Sequence, residues 1–238
     1  MRKGEYEGLC EKLQHPDWMP DFGPARFNPK CGAVICGARE FLIAYNVTLN
    51  TRDKLAASDI ALELREKGRP ARKPNPSAYY TAGEPALYEH GAFPCGNCDF
   101  ISSGFEEAIQ HCKKVHGYDL IELFKLNDED YTNPVGRPVR RAGRFKYCKA
   151  IGWYVDQYKR AQISINLTNF HVTPPHLVLE EVRRLAQARG LVVTGSEVVG
   201  LIPYEALLDA GRYYLSAQGR SPHVPICDLL ETATFSMG

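Results

Sequence analysis

Phe41, Ile43, Tyr45, Val47 and Leu49 are apolar at every second position, the period of a β-strand that buries one face and leaves the other polar. A chain carrying that run must build a sheet and cover one side of it. The run lies within residues 27–51, FNPKCGAVICGAREFLIAYNVTLNT, which read as two strands joined at a corner of Gly37, Ala38 and Arg39 and delivered into a helix. Arg39 stands at the corner itself. A guanidinium fixed at a strand end beside glycine is a planar fork of donors suited to a carboxylate, a phosphate or a polarised carbonyl. The alternative is that Arg39 caps a turn or pairs with a surface acid, an interaction of little energetic worth.

The alternation returns later. Ile151, Trp153 and Val155 alternate, a turn passes through residues 157–159, and Ala161, Ile163, Ile165 and Leu167 alternate against Gln162, Ser164, Asn166 and Thr168. This predicts a hairpin with one apolar face and one face of amides and hydroxyls. Helical spacing of Ala57, Ile60, Ala61 and Leu64, with Thr51 as cap and Gly68 as stop, predicts a helix over 51–67. Pro174 opens another, with Val178, Val182, Leu185 and Ala186 as its buried stripe and Gly190 at its end. Residues 191–203 read as a buried strand broken by glycines, and residues 204–217 as a last helix. With residues 69–147 set aside as an insertion, the inner six elements follow the order βαββαβ. That is an α+β fold, a ferredoxin-like sandwich whose helices cover one face of an antiparallel sheet. The remaining sheet face is either solvated or the wall of a cleft. Residues 1–26, with Pro16, Pro20 and Pro24, read as an extended lead-in held by Trp18 and Phe22. Residues 27–68 and 148–238 form the main subdomain.

The insertion has an organisation of its own. Cys95, Cys98, His111 and His116 fit C-x2-C-x12-H-x4-H, the spacing that presents two thiolates and two imidazoles to a tetrahedral Zn2+. A ββα zinc-finger-like unit is therefore expected over 93–117, with Cys112 able to substitute for His111 as a ligand. Ser102 and Ala108 occupy usual core slots, so Phe100, Phe105 and Ile109 must supply its small core, and a unit of this size folds with its metal. Fingers of this kind also read nucleic acid. Here the helix positions that would meet bases are Gly104, Glu107 and Gln110, with Glu106 beside them. Carboxylates facing phosphate are unfavourable, and one finger buries little. The basic flanks, Arg69 to Lys73 and Arg137 to Lys149, read as loops and keep a nonspecific nucleic-acid contact open. The net charge of +1 supplies no global field to assist it. The other five cysteines, Cys10, Cys31, Cys36, Cys148 and Cys227, are scattered, which suggests buried small hydrophobes in a reducing compartment. Nothing near the amino terminus has a signal-peptide core and no run is long enough to span a bilayer, so the cytoplasm is expected and no membrane partner.

Three long blocks carry a family likeness: FGPARFNPKCGAVICGAREFLIAYNVTLNT, AIGWYVDQYKRAQISINLTNFHVTPPHLVLEEV and VTGSEVVGLIPYEALLDAGRYYL. Together they resemble the C-terminal subdomain of glutamate formimidoyltransferase, the folate-dependent enzyme of histidine catabolism that is fused to a cyclodeaminase in mammals. The resemblance implies transfer of a formimino group from N-formiminoglutamate to tetrahydrofolate as co-substrate, in a tunnel between two α/β subdomains. It implies folate contacts from Lys12, Leu13, Gln14, His15, Pro16, Asp17, Trp18, Met19, Pro20, Asp21 and Arg39. Trp18 offers a stacking face, and Lys12 and Arg39 offer cations for an anionic tail. The family's general base belongs to the N-terminal subdomain, expected here as a partner in cis or in trans, and no catalytic residue is assigned to this chain. His171 and His176 read as structural histidines and Cys36 as a buried thiol. A homo-oligomer fits an exposed tunnel-facing sheet. The alternative function is a non-catalytic folate-binding protein, or a zinc-finger module for protein or nucleic acid, on the same fold.

Overall fold

The computed structural model describes residues 8–34, 36–73 and 83–217. Residues 74–82, which follow the first basic flank, and Cys227 lie outside that set. The chain forms two compact units, Met1–Glu40 and Phe41–Gly238, and each is described by itself.

In the first unit a short helix, Leu9–Lys12, leads into a 3-10 turn, Pro16–Trp18. Leu9 and Leu13 are its buried residues, whereas Phe22 is 94% exposed and anchors nothing. No strand forms among the described residues of 27–40, which corrects the two-strand reading of this stretch. The reason is local. Asn28 Oδ1 accepts hydrogen bonds from the amides of Lys30 and Cys31, at 2.9 and 3.0 Å, a side-chain turn that competes with extended pairing, and Gly32 follows at φ +63°. The regular alternation starts only at Ile43, and Phe41 is exposed rather than part of the buried face. Cys10, Cys31 and Cys36 are exposed rather than buried, while Cys148 is buried as expected.

The second unit is a mixed α/β fold. Its principal sheet uses β1 (Ile43–Leu49), β4 (Cys148–Val155), β5 (Arg160–Leu167) and β6 (Val193–Val199), in the antiparallel order β6-β1-β5-β4. Helix α1 (Lys54–Leu64) follows β1, and α4 (Pro175–Gln187) follows β5. Asp53, not Thr51, caps α1: its carboxylate accepts from the Leu55 amide at 2.8 Å, and Thr51 Oγ1 accepts from the Asp53 amide. Ile43, Tyr45, Val47 and Leu49 meet Ile163, Ile165 and Leu167 on one sheet face, under Ile60 and Leu64 of α1 and Val178 and Val182 of α4. A last helix, α5 (Tyr204–Ala217), adds Ala206 and Tyr214 to this core.

Two strand expectations change sides. Cys148, Ala150 and Gly152, not Ile151 and Trp153, face the helices, because α1 lies very close to β4. A Cβ built on Gly152 would stand 2.1 Å from the Ser58 amide nitrogen. Small residues are forced onto that side of β4, and Ile151 and Trp153 go to the other. β6 is an exposed edge strand rather than a buried one, with one neighbour only and glycine and polar residues along it.

Residues 69–147, expected as an insertion, hold a second core among the described residues. β2 (Phe93–Pro94) pairs with β3 (Ile101–Ser102), followed by α2 (Phe105–His116) and α3 (Leu120–Leu126). Tyr88, Phe93, Ala108, Leu120, Leu123, Phe124 and Val139 are buried together, with Phe100, Phe105 and Ile109 half-buried against them. Residues 93–116 therefore share a larger core than the three hydrophobes Phe100, Phe105 and Ile109. The basic flanks are not plain loops either: Arg69–Pro70 pairs with Arg140–Arg141 and Arg72–Lys73 with Glu84–Pro85.

Candidate substrate face and metal centre

Residues directly opposite each other in adjacent strands share a face, so the uncovered sheet face can be read from the register. Asn46 stands opposite Glu197 and Ser164, Thr48 opposite Gln162, and Gln162 opposite Trp153. The polar positions of β1 and β5 thus line up with a carboxylate from β6 and an indole from β4. Glu197 Oε1 accepts from Asn46 Nδ2 at 3.1 Å and from Gln162 Nε2 at 2.9 Å, and Gln162 Nε2 also reaches Thr48 Oγ1 at 3.0 Å. Gln162 is 1% exposed, yet its Oε1 has no hydrogen-bond partner among the described residues. A buried acceptor without a donor is costly. Beside it Ile151 and Trp153 are partly open to solvent. The face combines acceptors, a carboxylate and a flat apolar surface, which suits a planar heterocycle carrying N–H donors. Gln162, Ser164 and Asn166 are legible in the sequence as a polar row, and Trp153 reads there as an apolar-face residue; Glu197, Asn46 and Thr48 do not stand out in it. Their signal was Asn46 and Thr48 alternating with the apolar positions of β1, and a lone acid in VTGSEVVG.

The residues that the resemblance implied for folate lie in the first unit. Leu13 is buried, Lys12, Trp18 and Pro20 are half-buried, and Gln14, His15, Pro16, Asp17, Met19, Asp21 and Arg39 are exposed. Lys12 Nζ sits 5.0 Å from the Trp18 ring centroid, a cation–π arrangement. His15 Nδ1 accepts from the Asp17 amide at 3.3 Å. Arg39 is therefore a solvent-facing cation after an irregular segment, not a strand corner.

Of the histidines, His171 is exposed and packs on Phe170, with ring centroids 4.0 Å apart. His176 is buried beside Tyr213, and its Nδ1 has no hydrogen-bond partner among the described residues. Burial holds His176 below the usual imidazole range, with Asp209 opposing. It is an imidazole kept neutral by packing rather than by a hydrogen bond.

Cys95, Cys98, His111 and His116 bring their ligand atoms within 4.8 Å of one another. Cys98 Sγ lies 3.2 Å from His111 Nε2 and 3.3 Å from His116 Nε2. A tetrahedral Zn2+ separates sulfur and nitrogen ligands by about 3.5 Å, from bond lengths of about 2.3 and 2.0 Å, so the donor set and its spacing fit that ion. Phe100 stacks on His111 with centroids 4.0 Å apart and planes at 8°, which sets the ring's orientation. Gly117, at φ +72°, ends α2 directly after His116. The Cys112 thiol hydrogen-bonds to Cys95, which brings the Cys95 thiol down to about 4, against the opposing effect of burial.

Four arginines of the basic flanks are engaged with acids. Arg69 Nη1 meets Asp59 at 2.5 Å and Glu63 at 3.4 Å, Arg140 is bidentate on Glu129, Arg141 lies 3.5 Å from Glu63, and Arg144 lies 3.0 Å from Glu181. A cleft of about 600 Å³ between the insertion and the end of α1 is lined by several of these residues, including Glu63, Arg141 and Arg144.

Residues 131–234 match the model of the formiminotransferase domain, and residues 1–39 match that of the formiminotransferase domain, N-terminal subdomain. The chain belongs to the formimidoyltransferase-cyclodeaminase family. It is 36% identical over 219 residues to the formimidoyltransferase-cyclodeaminase of Dictyostelium discoideum, covering 92% of this chain and 28% of that protein. Identity to the Sus scrofa protein of the same name is 36% over 215 residues, 90% of this chain and 27% of the relative. Against the glutamate formimidoyltransferase of Streptococcus pyogenes serotype M1 it is 27% over 228 residues, 96% of this chain and 52% of the relative. The chain thus spans roughly a quarter of the fused family members and about half of the unfused one. The match of residues 1–39 to the N-terminal subdomain corrects the reading of residues 22–39, Arg39 included, as part of a C-terminal subdomain. Among the described residues, no helix is long and apolar enough to cross a membrane.

Proposed function

We propose that this chain is the folate-binding part of a glutamate formimidoyltransferase, built on a ferredoxin-like sandwich and moving a formimino group from N-formiminoglutamate to tetrahydrofolate. The observation that carries this reading is the uncovered sheet face, where Glu197 is held by Asn46 and Gln162 beside an open Trp153. The exposed Glu197 carboxylate matches the adjacent N–H donors of a 2-amino-4-oxopyrimidine ring, and the indole offers a stacking surface. The lead-in residues Lys12 to Asp21 and Arg39 are proposed as folate contacts of the first unit, on the strength of the family likeness. The cations there suit a glutamate tail.

Catalysis on this reading is largely positional: two bound reactants convert a bimolecular attack into an effectively unimolecular one. The attacking tetrahydrofolate nitrogen bonds to the formimino carbon, a tetrahedral intermediate collapses, and glutamate leaves through its amino nitrogen. The base that takes the proton from the attacking nitrogen is assigned to an N-terminal subdomain, in cis or in trans. No residue of this chain is given that role. The nucleic-acid alternative has less support, because Arg69, Arg140, Arg141 and Arg144 are paired with acids of the same chain.

Tetrahydrofolate titration of the full chain, followed by quenching of tryptophan fluorescence, tests the proposal. Glu197→Ala removes a charged acceptor of about 1.5–3 kcal/mol, so affinity falls about 10- to 150-fold. Arg39→Ala separately tests the first unit and should weaken a polyglutamylated folate more than a tail-less pterin. Saturable binding that is unchanged in Glu197→Ala would refute the role of the sheet face.

A further inference from the structure

The insertion's cluster is not used by the proposed transferase reading, and its geometry carries an inference independent of it. We propose that Cys95, Cys98, His111 and His116 bind one Zn2+ in a closed site, and that the metal clasps the insertion to the root by which it joins α1.

The ligand set follows from placement. All four donor atoms converge within 4.8 Å, and both imidazoles approach Cys98 through Nε2. His111 is held in that pose by Phe100 on one side. Cys112, the one other thiol of the insertion, belongs to the apolar core, 1% exposed, and forms the floor beneath Cys95 rather than a fifth point of the cluster. Four protein ligands of this kind leave no open position for substrate or water, which is the signature of a structural site. Binding as thiolates releases the protons of both cysteines to solvent.

The clasp follows from what the knuckle touches. A Cβ built on Gly96, between the two cysteines, would stand 2.2 Å from the Arg140 carbonyl oxygen, so the knuckle backbone lies directly on the root strand. Asn97 Oδ1 accepts from the Ala142 amide at 3.4 Å. That same root strand continues to α1: the Arg144 and Phe145 amides donate to the carbonyls of Glu63 and Leu64 at 2.9 and 3.1 Å. The chain of contacts runs from metal ligands to knuckle, from knuckle to root and from root to α1. The outer side of α2 presents Glu106 and Glu107 to solvent, an unsuitable surface for phosphate.

Elemental analysis of the full chain grown with zinc should give about one Zn2+ per molecule. Replacement by Co2+ should give the charge-transfer intensity of two thiolates rather than three, a readout that needs no variant. Cys98→Ser should lower metal content at least about tenfold, and Cys112→Ser should leave it unchanged. Hydrogen exchange with and without a strong chelator should show faster exchange in residues 93–116 and 137–145 on metal removal, with β1 and β5 unaltered. A wild-type chain without zinc, a three-thiolate cobalt spectrum, or a Cys112→Ser chain as metal-poor as Cys98→Ser overturns the ligand set. Unchanged exchange in 137–145 overturns the clasp, as does zinc-dependent retention of DNA or RNA at moderate salt that Cys98→Ser abolishes.

Discussion

Asp59→Asn should be among the most destabilising single substitutions in the chain, although it alters one atom. Asp59 lies on α1 with a side chain that is 0% exposed; Arg69 and Arg189 around it are 3% and 4% exposed. Its Oδ1 meets Arg69 Nη1 at 2.5 Å, and its Oδ2 receives Arg189 Nε and Nη2 at 2.9 and 2.6 Å. One carboxylate therefore joins the first root strand of the insertion, α1 and the chain just beyond α4. Asparagine preserves the shape but removes the charge that faces two buried guanidiniums; Arg69 keeps Glu63 at 3.4 Å and Arg189 keeps the Leu185 carbonyl at 3.0 Å. Breaking a buried pair by losing one partner costs about 3–5 kcal/mol. With a urea m-value of about 2–3 kcal/mol/M, the midpoint should fall by about 1–2 M. The comparison is Asp156→Asn, which removes an equally recognisable pair with Lys159 at 3.6 Å, but between side chains 90% and 62% exposed. That change should stay within about 0.5 kcal/mol. Urea unfolding followed by circular dichroism measures both. If Asp59→Asn costs less than about 1 kcal/mol, or no more than Asp156→Asn, burial is not what gives this ion cluster its weight.

Gly152→Val would drive side-chain atoms into the Ser58 backbone, whose amide nitrogen already lies 2.1 Å from where a first side-chain carbon would stand. Lifting α1 from the sheet should cost about 3 kcal/mol and lower Tm by about 6–12 °C. Gln162→Leu removes a buried acceptor that has no donor among the described residues together with one donor to Glu197; stability should change by under about 1 kcal/mol, while tetrahydrofolate affinity falls about tenfold or more. Equal loss of both would mean that the face is only structural. His176 has a folded pKa depressed by burial, so the unfolded chain takes up its proton first on acidification. Its contribution is present above the unfolded value of about 6.5 and is lost as pH falls through it towards the folded value. Urea midpoints measured between pH 8 and pH 5 should fall on the acid side, and His176→Phe should flatten that fall; an unchanged profile would place the titration elsewhere.

Sequence alone was enough for the repeating elements and for the convergence of two thiols and two imidazoles, because both are coded by spacing. Period-two alternation marked β1 and β5, helical spacing marked α1 and α4, and C-x2-C-x12-H-x4-H named four residues whose donor atoms do converge. Long-range packing decided the rest. Ile151 and Trp153 look like core residues by alternation, but the approach of α1 to Gly152 reverses the faces of β4. Glu197 lies far along the chain from Asn46 and Gln162 and meets them only through the register of β6, β1 and β5. The flanking arginines read as free basic charge until folding supplied Asp59, Glu63, Glu129 and Glu181 as partners. A local pattern fixes which face of an element is apolar; which element lies against that face, and which distant charge neutralises its neighbour, depends on chain closure that no window of sequence contains.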